Sequence, residues 1–379
     1  MKMALVHDYL IQDGGAERVL MALHEIWPEA PVYVLMHDRG RANPAFRSWD
    51  IRTSFLQKIP FGMRRYQWLL PLMPTATESY NLSEYDVVIS SSSAFAKGII
   101  TKPETLHISY CHTPTRYLWT DSLSYVEELR APKIIKGLLP PVLSYLRLWD
   151  RLSSDRVGVF VANSETVADR IRKYYGRDSV VIHPPVEVES FYVSKDIGNY
   201  YLIGGRLVSY KRFDIAVKAF SELNIPLKIF GEGPELNHLR SLAKANVEFL
   251  GRISEEEKRR LYSRCVAFLH PQVEDFGITA VEAMASGRPV IAYRRGGAME
   301  TVLPGVTGVF FNEQTWENLA HTIIRFKPEL FNGEIIRQHA FAFGQARFGS
   351  AMKELVQKEW ATFCARRGIA AEKQISMPA

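Results

Sequence analysis

The stretch that decides the fold is EDFGITAVEAMASG, residues 274–287, which follows a predicted strand at Val266–Leu269. Its second part, Ile278–Ala285, has a helical pattern, and Gly277 stands directly before it. A glycine at this place lets another chain or a ligand approach the backbone closely. The first amides of a helix have no partner inside the helix, so they form a binding site for phosphate or sugar oxygens.

Two carboxylates accompany this helix start. Glu274 lies just before it and Glu282 lies in its second turn, so that each could contact one end of a bound ligand. For an isolated pair of glutamates a structural explanation is preferable, in which Glu274 or Asp275 caps the helix and Glu282 faces solvent.

Outward from this stretch, short apolar runs alternate with amphipathic helical segments along the whole chain. Alternating βα units form parallel sheets that helices cover on both faces. The predicted strands are Met3–His7, Val32–Met36, Val87–Ser90, Leu106–Tyr110 and Val157–Ala162 in a first series, and Tyr200–Ile203, Leu227–Phe230, Val247–Leu250, Val266–Leu269, Val290–Ala292 and Gly308–Phe311 in a second.

The two series are separated at His183–Val186, where two prolines follow a strand and a polar stretch runs to about Asn199. We therefore predict two doubly wound, Rossmann-like α/β domains, residues 1–185 and 186–349, a division that suits a chain of 379 residues. A last helix, about 350–366, would pack back on the first domain. Ligands bind at the carboxyl ends of such strands, so the two domains would face each other across a cleft.

Composition narrows the class of protein. Hydrophobic residues make up 47% and charged residues 23%, as in ordinary globular proteins. Three widely spaced cysteines (Cys111, Cys265 and Cys364) provide neither a zinc-finger spacing nor a disulfide framework, which favours a reducing compartment.

No basic leader with a long apolar core precedes the first strand, so we expect no signal peptide. The most apolar stretch, Ile134–Leu146, is interrupted by two prolines and is too short to span a bilayer. The net charge of +6 suits nucleic acid, an anionic membrane or phosphorylated small molecules. Nucleic acid ranks last, because none of the familiar nucleic-acid-binding motifs is present.

Several motifs together identify a family. Residues 274–287 resemble the E-x7-E signature of the retaining family 4 glycosyltransferases, which have the GT-B fold. GGRL at 204–207, followed by KRFD at 211–214, is similar to the element with which that family holds the donor diphosphate. Further matches follow in the family's order and cover essentially the whole second domain: FGEGP (230–234), LGRI (250–253), RPVIA (288–292) and PGVTG (304–308).

The resemblance implies roles for the matched residues. Arg206 and Lys211 would neutralise the two phosphates of a nucleotide-sugar donor. Glu274 would accept hydrogen bonds from donor-sugar hydroxyls, and Glu282 would bind the ribose hydroxyls. The backbone amides that would contact sugar and phosphate oxygens are those of Phe276, Gly277 and Ile278.

The nucleobase contact rests on a weaker match. Ile253, Glu255 and Lys258 fall where the family places its base-contacting loop, and a carboxylate there could accept hydrogen bonds from guanine. The segment Ser254–Lys258 is equally typical of a solvated helix start.

In the first domain, Gly14 and Gly15 follow the first strand and open a helix, where the family has a glycine-rich loop. Paired glycines allow the backbone to approach a phosphate or an acceptor, although a plain turn explains them as well. Asp38 ends the second strand, about where dinucleotide-binding folds keep a ribose-binding acid. The G-x-G-x-x-G motif is missing, however, and we reject a dehydrogenase.

CHTPTRYLW, residues 111–119, follows another predicted strand. His112 matches the histidine that the family places beside the donor sugar. Together with Arg116 and Trp119, the segment is similar to family members that transfer mannose in bacterial O-antigen, lipopolysaccharide and exopolysaccharide assembly.

The resemblance implies a hexosyltransferase, specifically an α-mannosyltransferase that uses GDP-mannose and retains the anomeric configuration. Its catalytic residues would be His112, Glu274, Arg206 and Lys211. We expect neither a cofactor nor a metal, because cations and helix amides can stabilise the departing diphosphate and no Asp-x-Asp follows a strand. The alternatives are a UDP-sugar donor, a nucleotide-sugar epimerase and a non-catalytic sugar-binding subunit.

Two basic and apolar stretches suggest where the acceptor comes from. Phe55–Leu70 carries three positive charges and no acid among large apolar residues, and Lys133–Leu139 is similar. Such segments suit an anionic lipid surface. The resulting hypothesis is a cytoplasmic protein, peripheral on the inner face of the cell membrane, that collects a polyprenyl-diphosphate-linked glycan. Ordinary core helices with solvated charges would explain both stretches equally well.

Overall fold

A computed structural model describes residues 1–60, 62–120, 122 and 133–368, with all of their side chains except those of residues 63–65, 67, 133–136 and 138. The chain divides into two compact units. Unit 1 comprises Met1–His183 and the chain from Gly349 onward, and unit 2 comprises Pro184–Phe348.

Unit 1 is built on a seven-stranded parallel sheet in the order β3-β2-β1-β4-β5-β6-β7. Every residue of β1 is buried, as expected for a strand that has neighbours on both sides in a covered sheet. The strands are β1 (Met3–His7), β2 (Val32–Val34), β3 (Ile51–Thr53), β4 (Val87–Ser92), β5 (Leu106–Cys111), β6 (Val159–Ala162) and β7 (Ser179–Val181). The helices are α1 (Gly15–Ile26), α2 (Met73–Glu78), α3 (Lys133–Ser153) and α4 (Glu165–Tyr175).

Unit 2 contains a six-stranded parallel sheet in the order β10-β9-β8-β11-β12-β13. Its strands are β8 (Tyr201–Gly204), β9 (Leu227–Phe230), β10 (Val247–Gly251), β11 (Phe268–His270), β12 (Val290–Tyr293) and β13 (Gly308–Phe311). Its helices are α5 (Phe213–Leu223), α6 (Leu236–Leu242), α7 (Glu255–Arg264), α8 (Ile278–Ala285), α9 (Ala298–Thr301), α10 (Trp316–Arg325) and α11 (Gly333–Ala340), and α12 (Gln345–Arg367) continues from this unit into unit 1.

The sheet of unit 2 has a hydrophobic core on each face. Leu202 and Phe268 belong to one core cluster, and the residues that follow them, Ile203 and Leu269, belong to the other. Because successive side chains of a strand point to opposite faces, continuous apolar runs are the pattern of strands buried on both sides.

Both strand orders begin 3-2-1-4-5-6 within their unit, which is the order of a Rossmann fold. The predicted pair of doubly wound α/β sheets is therefore confirmed. The order reverses between β1 and β4 in unit 1 and between β8 and β11 in unit 2. Ligands of such sheets bind beyond the carboxyl ends of the strands at these reversals.

Two strands of unit 1 were not predicted. β3 and β7 are three residues long and lie at the two edges of the sheet, where their side chains are partly exposed. They lack the continuous apolar run of a covered strand. In the described ranges, no helix combines the length and the apolar character that crossing a bilayer requires.

Candidate active site

At the strand reversal of unit 2, glycines bring two loops together. Gly205 follows β8 with a φ of +130°, a conformation that favours glycine. A Cβ atom on Gly231, after β9, would lie 1.9 Å from the carbonyl oxygen of Gly205. The loop therefore requires glycine at Gly231, and it places the exposed Arg206 and the turn that carries Lys211 at the carboxyl edge of the sheet.

Lys211 and Glu274, which are far apart in the sequence, are in contact. Lys211 Nζ lies 2.8 Å from Glu274 Oε1, and the two side chains are only 12% and 16% exposed. The structure thus brings together a cation predicted to bind phosphate and a carboxylate predicted to bind sugar. Arg206, by contrast, makes no ion pair within the described part of the chain, and its side chain is exposed.

Gly277 is the N-cap of α8 and adopts a φ of +92°. Since glycine has no side chain, the N-cap position supplies no side-chain acceptor to the first helical amides. Of the residues predicted to contact the ligand through their amides, Phe276 is buried in the core and Ile278 is half-buried.

Glu282 does not face solvent. The alternative explanation of the glutamate pair, in which Glu282 is a solvated surface residue, is therefore wrong. Its side chain is buried, and its two carboxylate oxygens accept hydrogen bonds from Lys258 Nζ and from Tyr262 Oη, both at 3.2 Å. Lys258 is buried too and lies 2.7 Å from Glu255. The structure therefore joins three of the predicted residues, Glu255, Lys258 and Glu282, in one ion-pair chain.

The predicted base-contacting loop is the start of α7. Ser254 is the N-cap, and its hydroxyl accepts a hydrogen bond from the amide of Glu257 at 3.1 Å. Ile253 packs against the core of unit 2, whereas the side chain of Glu255 is 63% exposed. Glu255 is thus the most accessible acceptor of the three predicted residues, while the ammonium of Lys258 is held by carboxylates.

Sequence reasoning missed His270, the last residue of β11. Its ring is fully buried against Gly277, where an added Cβ would lie 3.1 Å from Nε2, and its Nδ1 lies 3.1 Å from Nε2 of Gln272. Burial lowers the pKa of His270, Glu274 opposes this shift and Lys211 adds to it. The ring is therefore neutral, and it packs against Gly277 at the N-terminus of α8. A strand predicted one residue longer would have placed it at the site.

In unit 1 the strand reversal is held by Asp8, which sequence reasoning also missed. Its buried carboxylate accepts hydrogen bonds at 2.6 to 2.9 Å from four consecutive amides after β4, those of Ser93, Ala94, Phe95 and Ala96. This arrangement fixes the loop after β4 to the end of β1.

His112 belongs to a hydrogen-bonded chain across three strand ends. Ser91 Oγ lies 2.8 Å from His112 Nε2 and 3.0 Å from His7 Nδ1. Burial, and to a lesser extent the charge of His7, lowers the pKa of His112 to about 3. At neutral pH, His112 is therefore uncharged. It can form hydrogen bonds, but it cannot act as a general acid.

Gly14 is the N-cap of α1, and Gly15 is the first residue of that helix. The backbone of Gly14 is extended (φ −155°), a conformation that any residue adopts, and an added Cβ would lie 3.1 Å from Glu17 Oε2. Glu17 is 2% exposed, and its Oε2 has no hydrogen-bond partner in the described part of the chain. Burial raises the pKa of this carboxyl above its ordinary value, while His7 and Gln12 oppose the shift.

Trp119 of the predicted mannosyltransferase-like segment is an anchor inside unit 1. Its Nε1 donates a hydrogen bond of 2.7 Å to the buried Asp150, which also accepts from Thr115, Tyr175 and Lys97. The ring of Trp119 stacks on Tyr174. Asp150 therefore fixes the conformation of the segment that begins at His112.

Two family models match the chain in succession. Residues 13–190 match "Glycosyltransferase Family 4", and residues 187–329 match "Glycosyl transferases group 1". The chain belongs to the family 4 glycosyltransferases. The family predicted from the sequence is thereby confirmed.

Curated relatives of this glycosyltransferase include mannosyltransferases. The O-antigen chain mannosyltransferase RfbU of Salmonella typhimurium is 31% identical over 159 residues, which are 39% of this chain and 45% of RfbU. A GDP-mannose-dependent alpha-mannosyltransferase of Corynebacterium glutamicum is 32% identical over 141 residues, 36% of this chain and 34% of the relative. The chain spans less than half the length of these two relatives.

Solved structures share the fold over nearly the whole glycosyltransferase. Anabaena Alr3699/HepE in complex with UDP aligns with a TM-score of 0.70 at 17% identity, covering 94% of this chain and 100% of that one. Sucrose-phosphate synthase from Thermosynechococcus elongatus aligns with a TM-score of 0.72 at 17% identity, covering 96% and 100%. These likenesses support the GT-B fold.

Within the described ranges, no group of three or more histidine, cysteine, aspartate or glutamate side chains is arranged to hold a metal ion. A metal-independent reaction stays a prediction.

Proposed function

We propose that this glycosyltransferase transfers mannose from GDP-mannose, with retention of the anomeric configuration, to a lipid-linked oligosaccharide of a bacterial surface polysaccharide. The observation that carries the proposal is the contact of Lys211 with Glu274 beside Gly277, at the strand reversal of unit 2. It places a cation, a carboxylate and the first amides of a helix around one point. These are the groups that a sugar diphosphate requires.

In the proposed reaction, the bond between the anomeric carbon and the diphosphate oxygen breaks, and negative charge develops on the diphosphate. Arg206, Lys211 and the amides at the start of α8 would stabilise that charge. Donor binding would separate the Lys211–Glu274 pair, because Lys211 turns to phosphate while Glu274 accepts hydrogen bonds from sugar hydroxyls.

The acceptor hydroxyl would attack the anomeric carbon from the face that the diphosphate leaves. Its oxygen forms the new glycosidic bond, and its proton passes to an oxygen of the departing diphosphate. His112, neutral and hydrogen-bonded to Ser91, would position the sugar and would not donate a proton. We expect no metal in this reaction.

Mannose as the sugar is supported by the relatives that are mannosyltransferases. The exposed carboxylate of Glu255 at the start of α7 could accept the ring and amino N–H groups of guanine, which supports GDP. A UDP-sugar is the second candidate, because the structurally similar Anabaena protein was solved with UDP.

A membrane-bound acceptor is supported by exposed apolar side chains. Phe55 and Trp68 in the first basic stretch are 42% and 62% exposed, and Leu72, just after it, is 45% exposed. On α3, Tyr145, Leu148 and Leu152 are exposed at spacings of three and four residues, which place them on one face. The side chains of Arg64 and Arg65, and those of the basic residues in Lys133–Leu139, lie outside the described part of the chain.

The direct test incubates the enzyme with GDP-mannose or UDP-glucose and a lipid-linked glycan extract, and it determines the anomeric configuration of any product by NMR. An α-mannosyl product is expected. Conversion of the donor in the absence of acceptor to an epimer would show an epimerase instead. Donor binding without any turnover would indicate a non-catalytic subunit.

A further inference from the structure

Unit 1 contains a polar cavity whose side chains take no part in the reaction proposed above. It has a volume of about 600 Å³ and lies at the carboxyl ends of β2 and β3. Its lining includes His37, Asp38, Arg39, Arg47 and Trp49. This volume falls in the range of small-molecule sites, about 300–1,000 Å³.

The charge of the cavity is positive. Arg39 and Arg47 are both exposed, and neither pairs with a carboxylate in the described part of the chain. Asp38, the acid of the lining, already accepts a hydrogen bond from the amide of Gly40 at 3.0 Å and lies 3.7 Å from Arg41. Two guanidinium groups therefore remain for a ligand, and guanidinium groups bind phosphate or carboxylate through paired hydrogen bonds.

One wall of the cavity is a fixed aromatic ring. Trp49 stacks on His24 with ring centroids 3.7 Å apart and meets the ring of Phe46 edge-on at 4.8 Å. Because these contacts hold the indole in place before a ligand arrives, little side-chain entropy is lost on binding. A rigid indole beside two cations suits a sugar ring that carries an anionic group.

The loop after β2, which lines the cavity, is linked to the segment just before Gly14 and Gly15. Asn43 Nδ2, in the loop between β2 and β3, donates a hydrogen bond of 3.0 Å to Asp13. The loops after β1 and β2 also pair through their backbones, with Asp38 N–H bonded to Leu10 O at 2.8 Å. These contacts hold the lining loop beside the loop that leads to the glycine turn, on the same carboxyl edge of the sheet.

We propose that this cavity binds an oxyanion of the acceptor, a phosphate or carboxylate attached to a sugar ring. Arg39 and Arg47 bind the anion, and Trp49 packs against the ring. The proposal rests on the proposed function only in identifying the ligand as the acceptor. The binding of a sugar anion to unit 1 can be measured without any donor or turnover.

The experiment is isothermal titration calorimetry on the full chain. The ligands are glucose 1-phosphate and glucuronate, which carry an anionic group, and glucose, which is the neutral control. At least one of the two anions should bind, and glucose should bind much more weakly. A preference for glucose 1-phosphate assigns the anion to a glycosyl phosphate, and a preference for glucuronate assigns it to an acidic sugar residue. Equal binding of glucose, or no binding of either anion, overturns the proposal.

Variants locate the binding. Arg39→Ala and Arg47→Ala should each weaken it about tenfold or more, as the loss of a charged hydrogen bond predicts. Two controls should bind the anion like wild type: Arg172→Ala, an exposed arginine on α4 that pairs with Asp169 outside the lining, and Arg206→Ala, in unit 2. Loss in Arg206→Ala would place the anion at the donor site and overturn the proposal. Transfer from a nucleotide sugar, measured separately, can fail or succeed independently of this result.

Discussion

At the scale of single residues, Lys211 and Glu274 hold each other in a position where each is proposed to serve a different part of one donor. We expect Lys211→Ala and Glu274→Ala each to lower the rate of transfer by about a hundredfold or more, as the loss of one preorganised charge typically does. Steady-state kinetics measures this loss, and circular dichroism verifies the fold.

The matched control is Lys244→Ala, which removes another lysine of unit 2 that is paired with a glutamate. Its Nζ lies 3.0 Å from Glu222 Oε1, but the two side chains are far more exposed than those of Lys211 and Glu274, at 56% and 50%. Transfer by Lys244→Ala should match wild type. Near-normal turnover by folded Lys211→Ala would mean that the pair has no part in the reaction.

Glu17 offers a test by pH. Its pKa is raised above the ordinary value of 4.5, chiefly by burial. As the pH rises through that value, the unfolded state loses its proton before the folded state does, so the free energy of unfolding decreases. Glu17→Gln removes this cost, and the variant should melt at a higher temperature than wild type at about pH 8 but not at about pH 4.

The comparison for this variant is Glu29→Gln, an exposed glutamate just beyond α1, which should melt like wild type at both pH values. If Glu17→Gln gains stability and loses transfer, the buried carboxylate is kept for function at a cost in stability. A variant less stable than wild type at about pH 8 would contradict the argument from burial.

A site residue can be predicted from a single sequence when it stands in a recognisable motif. Lys211, Glu274 and Gly277 stand in motifs of fixed spacing, so a single chain reveals them. Asp8, Glu17 and His270 are buried polar residues whose importance depends on what surrounds them, and no spacing in the sequence marks that environment.

At the scale of elements, Asp150 on α3 joins the segment after β5 to α4. Its carboxylate is fully buried and pairs with the buried Lys97. Asp150→Asn would leave the ammonium of Lys97 buried without a counter-charge, which costs about 3–5 kcal/mol of unfolding free energy. Urea denaturation measures the change.

Asp155→Asn provides the comparison, because Asp155 lies just beyond the same helix and pairs with Arg151 at 2.7 Å with side chains 57% and 40% exposed. Exposed pairs contribute about 0.2–1 kcal/mol, so this variant should be close to wild type. Equal effects of the two substitutions would show that Asp150 is not the anchor inferred here.

Prediction of elements succeeded where strands are covered on both faces. β1 and β9, which lie inside their sheets, have the predicted bounds, because each is a short apolar run between polar segments. β3 (Ile51–Thr53) and β7 (Ser179–Val181) are edge strands with a neighbour on one side only, so their sequences need no such run. Edge pairing depends on the neighbouring strand, which the local sequence does not contain.

At the scale of the whole molecule, both units repeat one strand order and present a carboxyl edge where loops meet, but the two edges differ in chemistry. Unit 2 offers cations, carboxylates and a helix start at Gly277, which suit a nucleotide sugar. Unit 1 offers the neutral His112 chain, Glu17 and the cavity with two arginines. This difference supports the proposal that unit 2 binds the donor and unit 1 binds the acceptor.

The identity of the donor can be tested on the intact chain by thermal shift with GDP, UDP, ADP and their sugars. A ligand that binds only the folded state stabilises it by about 2.7 kcal/mol at one hundred times its dissociation constant. We expect GDP or GDP-mannose to raise the melting temperature most. A larger shift with UDP or UDP-glucose would contradict GDP-mannose as the donor, but it would be consistent with a glycosyltransferase that uses a UDP-sugar.

Unit 1 carries the basic and apolar side chains from which binding to a membrane is predicted. The 3-10 helical segment Gly62–Leu72 and α3 share one hydrophobic cluster, which contains Leu70, Leu143 and Leu146, so the exposed apolar side chains of both elements belong to one region of unit 1. Basic residues near an anionic surface contribute about 1 kcal/mol each, and the apolar side chains would insert between headgroups. Wild type should therefore sediment with anionic liposomes at low salt, and less so as salt is added.

Substitutions separate the two contributions to this binding. Lys58→Glu together with Arg64→Glu and Arg65→Glu should weaken sedimentation mainly at low salt, because charge attraction is screened. Trp68→Ser with Leu148→Ser should weaken it at all salt concentrations, since apolar insertion does not depend on screening. Ile324→Ser, which changes a 67% exposed apolar residue of unit 2, is the control and should sediment like wild type. Wild type that stays in the supernatant at low salt would contradict the membrane hypothesis and leave the donor chemistry of unit 2 untouched.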